Sequence, residues 1–174
     1  MAAPSGHLGR VKYGPAFLIA LWLAVQPVTA QSLPLDRLTP ALPTAGERTA
    51  ADWASWGTVL TAVALDTRTS WKAEDRVRAF ELEGARVGIT YGAVLLVKVL
   101  AHRTRPCAPS CGTDNPQTSF YSAHTALAFS TVGGSPFALT LGVTTGGLRV
   151  AAGKHWLTDV LTGALAGWAT SRVR

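Results

Sequence analysis

Val87-Gly-Ile-Thr-Tyr-Gly-Ala-Val-Leu-Leu-Val-Lys98-Val-Leu-Ala-His-Arg-Thr-Arg105-Pro106 is nearly all apolar up to Lys98 and reads as a helix. Arg105 precedes a proline, whose ring clashes with the helical backbone of the residue before it. The helix is therefore expected to end near Arg105. Lys98 and Arg105, two turns apart, would then project from one face, with the guanidinium at the mouth of any site at that end. Taken alone, cations in a last turn can equally just complement the helix dipole.

Working outward, the other segments also read as helices. Thr67 to Glu83 is dense in surface charge, with Val77 and Phe80 spaced as an amphipathic helix that continues into Val87 to Ala101. Upstream, Ala51 to Leu65 forms a helix with Trp53, Trp56, Val59, Leu60 and Val63 on its apolar side. Downstream, Ser122 to Val132 and Phe137 to Leu148 are separated by a Gly133-Gly134-Ser135-Pro136 turn. A last helix covers Lys154 to Ser171. The β-branched Val143, Thr144 and Thr145 are interleaved with glycine and do not alternate, which argues against a strand. The expected fold class is all-α, a compact bundle of about five to six helices.

Composition bounds the function. The chain has 174 residues, enough for one domain, with 48% hydrophobic and 15% charged residues and a mean hydropathy of +0.22. Its net charge of +6 is modest, and no basic stripe with interleaved aromatics suggests nucleic acid. The uncharged runs Asp52 to Asp66, Arg86 to Lys98 and Asp159 to Arg172 fall short of the roughly 20 residues a spanning helix needs. A bundle with a buried core fits better than a six-span protein. Trp53, Trp56, Trp156 and Trp168 are expected in that core, with a membrane interface as the other place they suit.

Residues 1–30 read as an export signal. Arg10 and Lys12 precede the apolar run Ala16 to Val25, and Val28-Thr29-Ala30 forms a small-residue cleavage site before Gln31. An uncleaved N-terminal anchor is the alternative. Residues 31–50, rich in Pro and Thr, are expected to be an irregular linker, leaving 51–174 as the folded domain. Export would make the protein periplasmic or secreted. Cys107 and Cys111, in Cys-Ala-Pro-Ser-Cys, are then a disulfide candidate. A zinc site there, even with His102, would lack ligands.

Two further clusters carry chemistry. In Arg149-Val-Ala-Ala-Gly-Lys-His155-Trp-Leu-Thr-Asp159, helix spacing would put His155 and Asp159 on one face. Asp159 would then accept a hydrogen bond from one imidazole nitrogen, leaving the other free to attack an electrophile, with Arg149 holding an anion in front. A surface ion pair at a helix start is the plainer alternative. In Tyr121-Ser122-Ala123-His124, Ser122 reads as a helix N-cap whose free N–H groups suit an anion, with His124 beside them to donate a proton. A capping serine and a structural histidine would look the same.

Together the three clusters resemble the phosphatidic acid phosphatase type 2 superfamily, whose pattern is Lys-x6-Arg-Pro, Pro-Ser-Gly-His and Ser-Arg-x5-His-x3-Asp. Lys98, Arg105 and Pro106 match the first motif, and Arg149, His155 and Asp159 match the third, with Leu148 in place of Ser. In the second, Tyr121 replaces Pro and Ala123 replaces Gly. The resemblance implies a cofactor-free, metal-independent phosphatase with its site at one end of a helical bundle. By position, His155 would be the nucleophile of a phosphohistidine intermediate and Asp159 its orienting partner. His124 would protonate the leaving oxygen and then activate water. Lys98, Arg105, Arg149, Ser122 and the backbone N–H of Ala123 would hold the phosphoryl oxygens. The implied partner is a phosphate ester, whether a lipid phosphate, an isoprenyl diphosphate or a soluble monoester, with a membrane surface as a further partner. A catalytically impaired relative that binds phosphate or lipid headgroups is the second expectation, raised by Tyr121 and Ala123. Vanadate-dependent haloperoxidases share the clamp but are usually much longer chains.

Overall fold

Thr44 opens the first long helix through a reciprocal cap. Its hydroxyl accepts from the Glu47 N–H at 3.4 Å, and the Glu47 carboxylate accepts from the Thr44 N–H at 2.9 Å. A computed structural model describes residues 33–112, 114–132 and 135–173. Among them are a 3-10 turn, Pro34–Leu38, and five α-helices. These are α1 Ala45–Lys72, α2 Arg76–Ala101, α3 Ala123–Ser130, α4 Pro136–Ala151 and α5 Leu157–Thr170. No strand occurs among the described residues. The expected export segment, residues 1–30, lies outside them, as do residues 31, 32, 113 and 174 and the Gly133-Gly134 pair of the expected turn.

The short α3 is the hub and packs against all four other helices, most extensively α5, while α1 lies along α4. Small residues make these approaches close. Gly163 and Gly167 of α5 lie against the α3 backbone, where an added Cβ would sit 2.7 Å from the Ser122 carbonyl oxygen and 2.0 Å from that of Ala126. Hydroxyl pairs stitch the outer helices, with Thr58 to Thr145 at 2.8 Å between α1 and α4, and Thr90 to Thr170 at 2.7 Å between α2 and α5.

Several boundaries differ from the sequence expectation. Residues 31–50 are not simply a linker, because the 3-10 turn buries Asp36 and α1 starts at Ala45. No break falls near Asp66. The helix runs to Lys72, and the interruption comes at Ala73–Asp75, where Asp75 caps α2 by accepting from the Arg78 N–H at 3.0 Å. α2 ends at Ala101, four residues before Arg105, because His102 adopts left-handed backbone with φ 42°. The last helix starts at Leu157 rather than Lys154, after a turn in which Gly153 has φ 66°.

Three of the four tryptophans expected in the core lie outside it, while Trp156 is half-buried. Trp53 is 74% exposed, and Trp56, Leu60 and Trp168 are exposed too. The buried face of α1 is Ser55, Val59 and Ala62, small residues that let α4 approach and turn the indoles outward. α2 presents Tyr91, Leu95, Leu96, Val99 and Leu100 outward. It is the one described helix long and apolar enough to cross a membrane, with a mean hydropathy of 1.5.

Candidate active site

The three motif clusters meet at one end of the bundle, around the C-terminal ends of α2 and α4 and the N-terminal ends of α3 and α5. Lys98 reaches over from the last turn of α2 to donate to the Thr118 carbonyl at 2.6 Å. Arg105, in the loop after α2 rather than on its face, donates to the Thr118 hydroxyl at 3.3 Å and to the Lys154 carbonyl at 3.2 Å. Both cations thus grip one loop residue although no helix carries them together. Arg149, buried in the last turn of α4, donates to Asp52 and, at 3.3 Å, to Ser55 of α1.

Two carboxylates that the sequence reading did not single out sit over these cations. Asp52 takes Arg149 and lies 3.8 Å from Lys154 Nζ. Asp114 lies 2.7 Å from Lys154 Nζ and 3.6 Å from Arg105. Burial would raise the Asp114 carboxyl, but the Lys154 hydrogen bond and the charges of Arg105 and Arg149 outweigh it and hold the group below its usual range. No sequence spacing connects Asp52 to Arg149; they are neighbours only because α1 lies along α4.

His155 is 2% exposed. Its Nδ1 bonds the Ser119 carbonyl at 2.6 Å. A carbonyl only accepts, so Nδ1 carries the proton and Nε2 keeps a free lone pair. This differs from the expected partner. Asp159 Oδ2 is 3.8 Å from Nδ1, beyond hydrogen-bond reach. The cause is local, because His155 precedes α5 and the helical i, i+4 register does not apply to it. Asp159 is instead the third residue of α5, where it accepts from the Trp156 N–H at 2.9 Å, from the Ser119 hydroxyl and from Arg103. Burial raises its carboxyl above the ordinary value, and Arg103, Ser119 and the Trp156 N–H offset this only in part.

Burial and the surrounding charges favour the neutral form of both histidines. Burial, then Arg149, Lys98 and Arg105, push His155 well below its ordinary value. The same causes in the same order push His124 down to about 3. Burial and Arg105 bring Lys98 down to about 8. All three motif cations act on both imidazoles. His124 Nε2 and Arg149 Nε are buried without a hydrogen-bond partner, and the His124 ring meets the edge of Trp56 at 4.2 Å between centroids.

Ser122 caps α3 with its hydroxyl accepting from the Thr125 hydroxyl at 2.9 Å and the Thr125 N–H at 3.4 Å, while its own N–H donates to the Asp159 carbonyl at 3.1 Å. Ala123 is the first helical residue, and its φ is not positive. Cys107 and Cys111 are bonded to each other, and the Cys107 N–H donates to the Gly153 carbonyl at 3.0 Å, so the small loop packs beside the turn that carries His155. Among the described residues, no three His, Cys, Asp or Glu side chains gather to hold a metal ion. Such a constellation, a neutral imidazole facing guanidiniums and an ammonium, can bind a tetrahedral oxyanion and attack its centre. Compared with family models, with curated proteins and with solved structures, the chain matches none.

Proposed function

We propose that this chain is a metal-independent phosphohydrolase of the phosphatidic acid phosphatase type 2 kind, working through a phosphohistidine. The observation that carries the reading is the convergence of the three clusters at one end of the bundle, where Lys98 and Arg105 both grip Thr118, Arg105 also bonds the Lys154 carbonyl beside His155, and Asp52 joins Arg149 to Lys154. Phosphoryl transfer depends mostly on positioning and on stabilising charge on the equatorial oxygens. Preorganised cationic donors in a partly buried site supply this, at roughly 3 kcal/mol each.

In this reading the lone pair of His155 Nε2 forms the N–P bond as the bond from phosphorus to the leaving oxygen breaks. His124 gives that oxygen a proton. Burial first, and then the three cations, lower the proton affinity of His124. A phosphoryl dianion placed among the cations offsets their charge and raises the imidazole's affinity for a proton, so His124 takes up its proton as substrate binds. Neutral again after the first step, His124 takes a proton from water. The hydroxide oxygen attacks phosphorus, the N–P bond breaks, and phosphate leaves with His155 free. Asp52 and Asp114 hold the cations between turnovers, and substrate displaces them. The substrate is a phosphate ester, and the outward apolar faces of α1 and α2 suit a membrane surface beside the site. An exported location accords with the Cys107–Cys111 disulfide.

Purified protein should release p-nitrophenol from p-nitrophenyl phosphate in EDTA, be inhibited by vanadate, and lose several orders of magnitude of turnover in His155→Ala. Phosphate release from a lipid phosphate, an isoprenyl diphosphate and a soluble monoester would rank the substrates. Vanadate binding with no turnover of any ester would replace this reading with a phosphate-binding one, and near-normal turnover in His155→Ala would end the phosphohistidine mechanism.

A further inference from the structure

Behind His155 lies a second layer that the motifs do not contain. Arg103, between Lys98 and Arg105, has a fully buried side chain. One guanidinium nitrogen donates to Asp159 and, at 2.8 Å, to the Thr158 hydroxyl, and the other donates to Asp36 of the 3-10 turn. Asp36 also accepts from the Thr158 hydroxyl at 2.7 Å and the Leu33 N–H at 2.8 Å. The rings of Phe120 and Trp156 lie 6.0 and 5.9 Å from the guanidinium carbon. The backbone takes part as well, since the Arg103 carbonyl accepts from the Ser119 N–H at 2.9 Å. Ser119 in turn holds His155 through its carbonyl and Asp159 through its hydroxyl.

We infer that Arg103, anchored by Asp36, is a positioning residue that fixes Asp159 and Ser119, and through Ser119 sets the orientation and tautomer of the His155 imidazole. The inference rests on His155 being the reacting group. One guanidinium fork spans two carboxylates, a task that a point-charge ammonium does poorly. The unit of Asp36, Arg103 and Asp159 leaves one net negative charge behind the imidazole. Burial and the charges of Arg149, Lys98 and Arg105 disfavour the charged form of His155. The negative unit therefore opposes the cationic clamp at the ring. It favours the positive charge that develops on the imidazole when Nε2 binds phosphorus. Asp36 brings the N-terminal turn into this layer, across 67 positions of chain.

The test uses the full chain carrying ¹⁵N-labelled histidine, with resonances assigned by His155→Ala. In the parent, His155 should show a protonated Nδ1 and a bare Nε2. Arg103→Met alone leaves two buried carboxylates facing each other and risks unfolding, so the main variant is the charge-balanced pair Arg103→Met with Asp36→Asn. It should stay folded by circular dichroism and bind vanadate within about 3-fold of the parent, because the clamp is intact. His155 should lose its single tautomer, and kcat should fall about 10- to 100-fold with KM little changed, as when the outer partner of a functional histidine is removed. Arg103→Lys should recover only part of kcat. An unchanged His155 tautomer and titration in the folded double variant overturns the inference, as does an equal loss of vanadate affinity and kcat. A parent with the stated tautomer but no turnover of any ester refutes the phosphatase reading and leaves the positioning of His155 standing on the spectra alone.

Discussion

Replacing Gly167 by alanine tests whether the packing of α5 on α3 sets the architecture. The new Cβ would lie 2.0 Å from the Ala126 carbonyl oxygen and 2.9 Å from Phe129 Cβ. Carbon contacts are comfortable near 3.5 Å, so the helices must part by roughly 1 to 1.5 Å. The obstacle is backbone, and no rotamer change relieves it. Overpacking of this type costs about 1–3 kcal/mol, and the upper end applies here. Alanine's better helix propensity returns about 1 kcal/mol. The net expectation is a loss of about 2 kcal/mol, a fall in Tm of about 4–8 °C for a chain of this size. Gly88 in α2 is the matched control, because it is helical and exposed with nothing within 4 Å of an added Cβ, so Gly88→Ala should gain up to about 1 kcal/mol. Thermal and urea unfolding followed by circular dichroism reads both. Equal or greater stability in Gly167→Ala, or similar losses in both variants, would refute the close approach. Gly163→Ala, aimed at the Ser122 carbonyl at 2.7 Å, should disturb the N-terminus of α3 and reduce vanadate affinity more than Gly167→Ala does.

Other outcomes follow from the site and its surroundings. Ala123→Gly should change phosphate or vanadate affinity less than about 3-fold by titration, since the position's φ asks nothing of glycine; a large gain in turnover would show that the natural residue impairs the site. His124 and His155 are neutral when folded and free to take protons below pH about 6.5 when unfolded, so stability should fall as pH drops from 6.5 toward 3. Asp159, raised by burial, opposes this only in the carboxylate range, and melts at pH 7 and 5 should show the lower Tm at 5. Reduction of Cys107–Cys111, or Cys107→Ser, should cost about 2 kcal/mol in chemical unfolding, the loop-closure value for so small a ring.

The helical class was legible because the apolar segments are long and do not alternate, and the three clusters were legible by spacing. What spacing could not supply was the local conformation at two helix ends. His102 in left-handed backbone removes Arg105 from α2, and the turn at Gly153 removes His155 from α5, so neither helical-face argument describes the geometry of these residues. Thr44-Ala-Gly-Glu47 is a capping box visible in the sequence, and it would have set the start of α1 correctly. Trp53 is exposed because hydrophobicity alone does not choose the buried face, which in α1 is formed by Ser55, Val59 and Ala62. Arg103 and Asp36 gave no signal at all; an arginine in a basic loop and an aspartate in a Pro-rich stretch look solvated until the fold joins them.

The hydrogen bonds between Asp36 and Thr158 also have a consequence for the order of assembly. They close a loop of 122 positions, which costs about 2 kcal/mol more in chain entropy than closing a ten-residue loop. The local bond from the Leu33 N–H satisfies only part of the buried Asp36 carboxylate; its Arg103 and Thr158 partners are distant in the chain, and the Thr158 bonds form only when α5 is in place. As the chain emerges N-terminus first, the 3-10 turn must wait for the last helix to be made. Its docking is therefore expected to be a late folding event, and a chain truncated before Leu157 should leave its own N-terminal turn open to proteolysis.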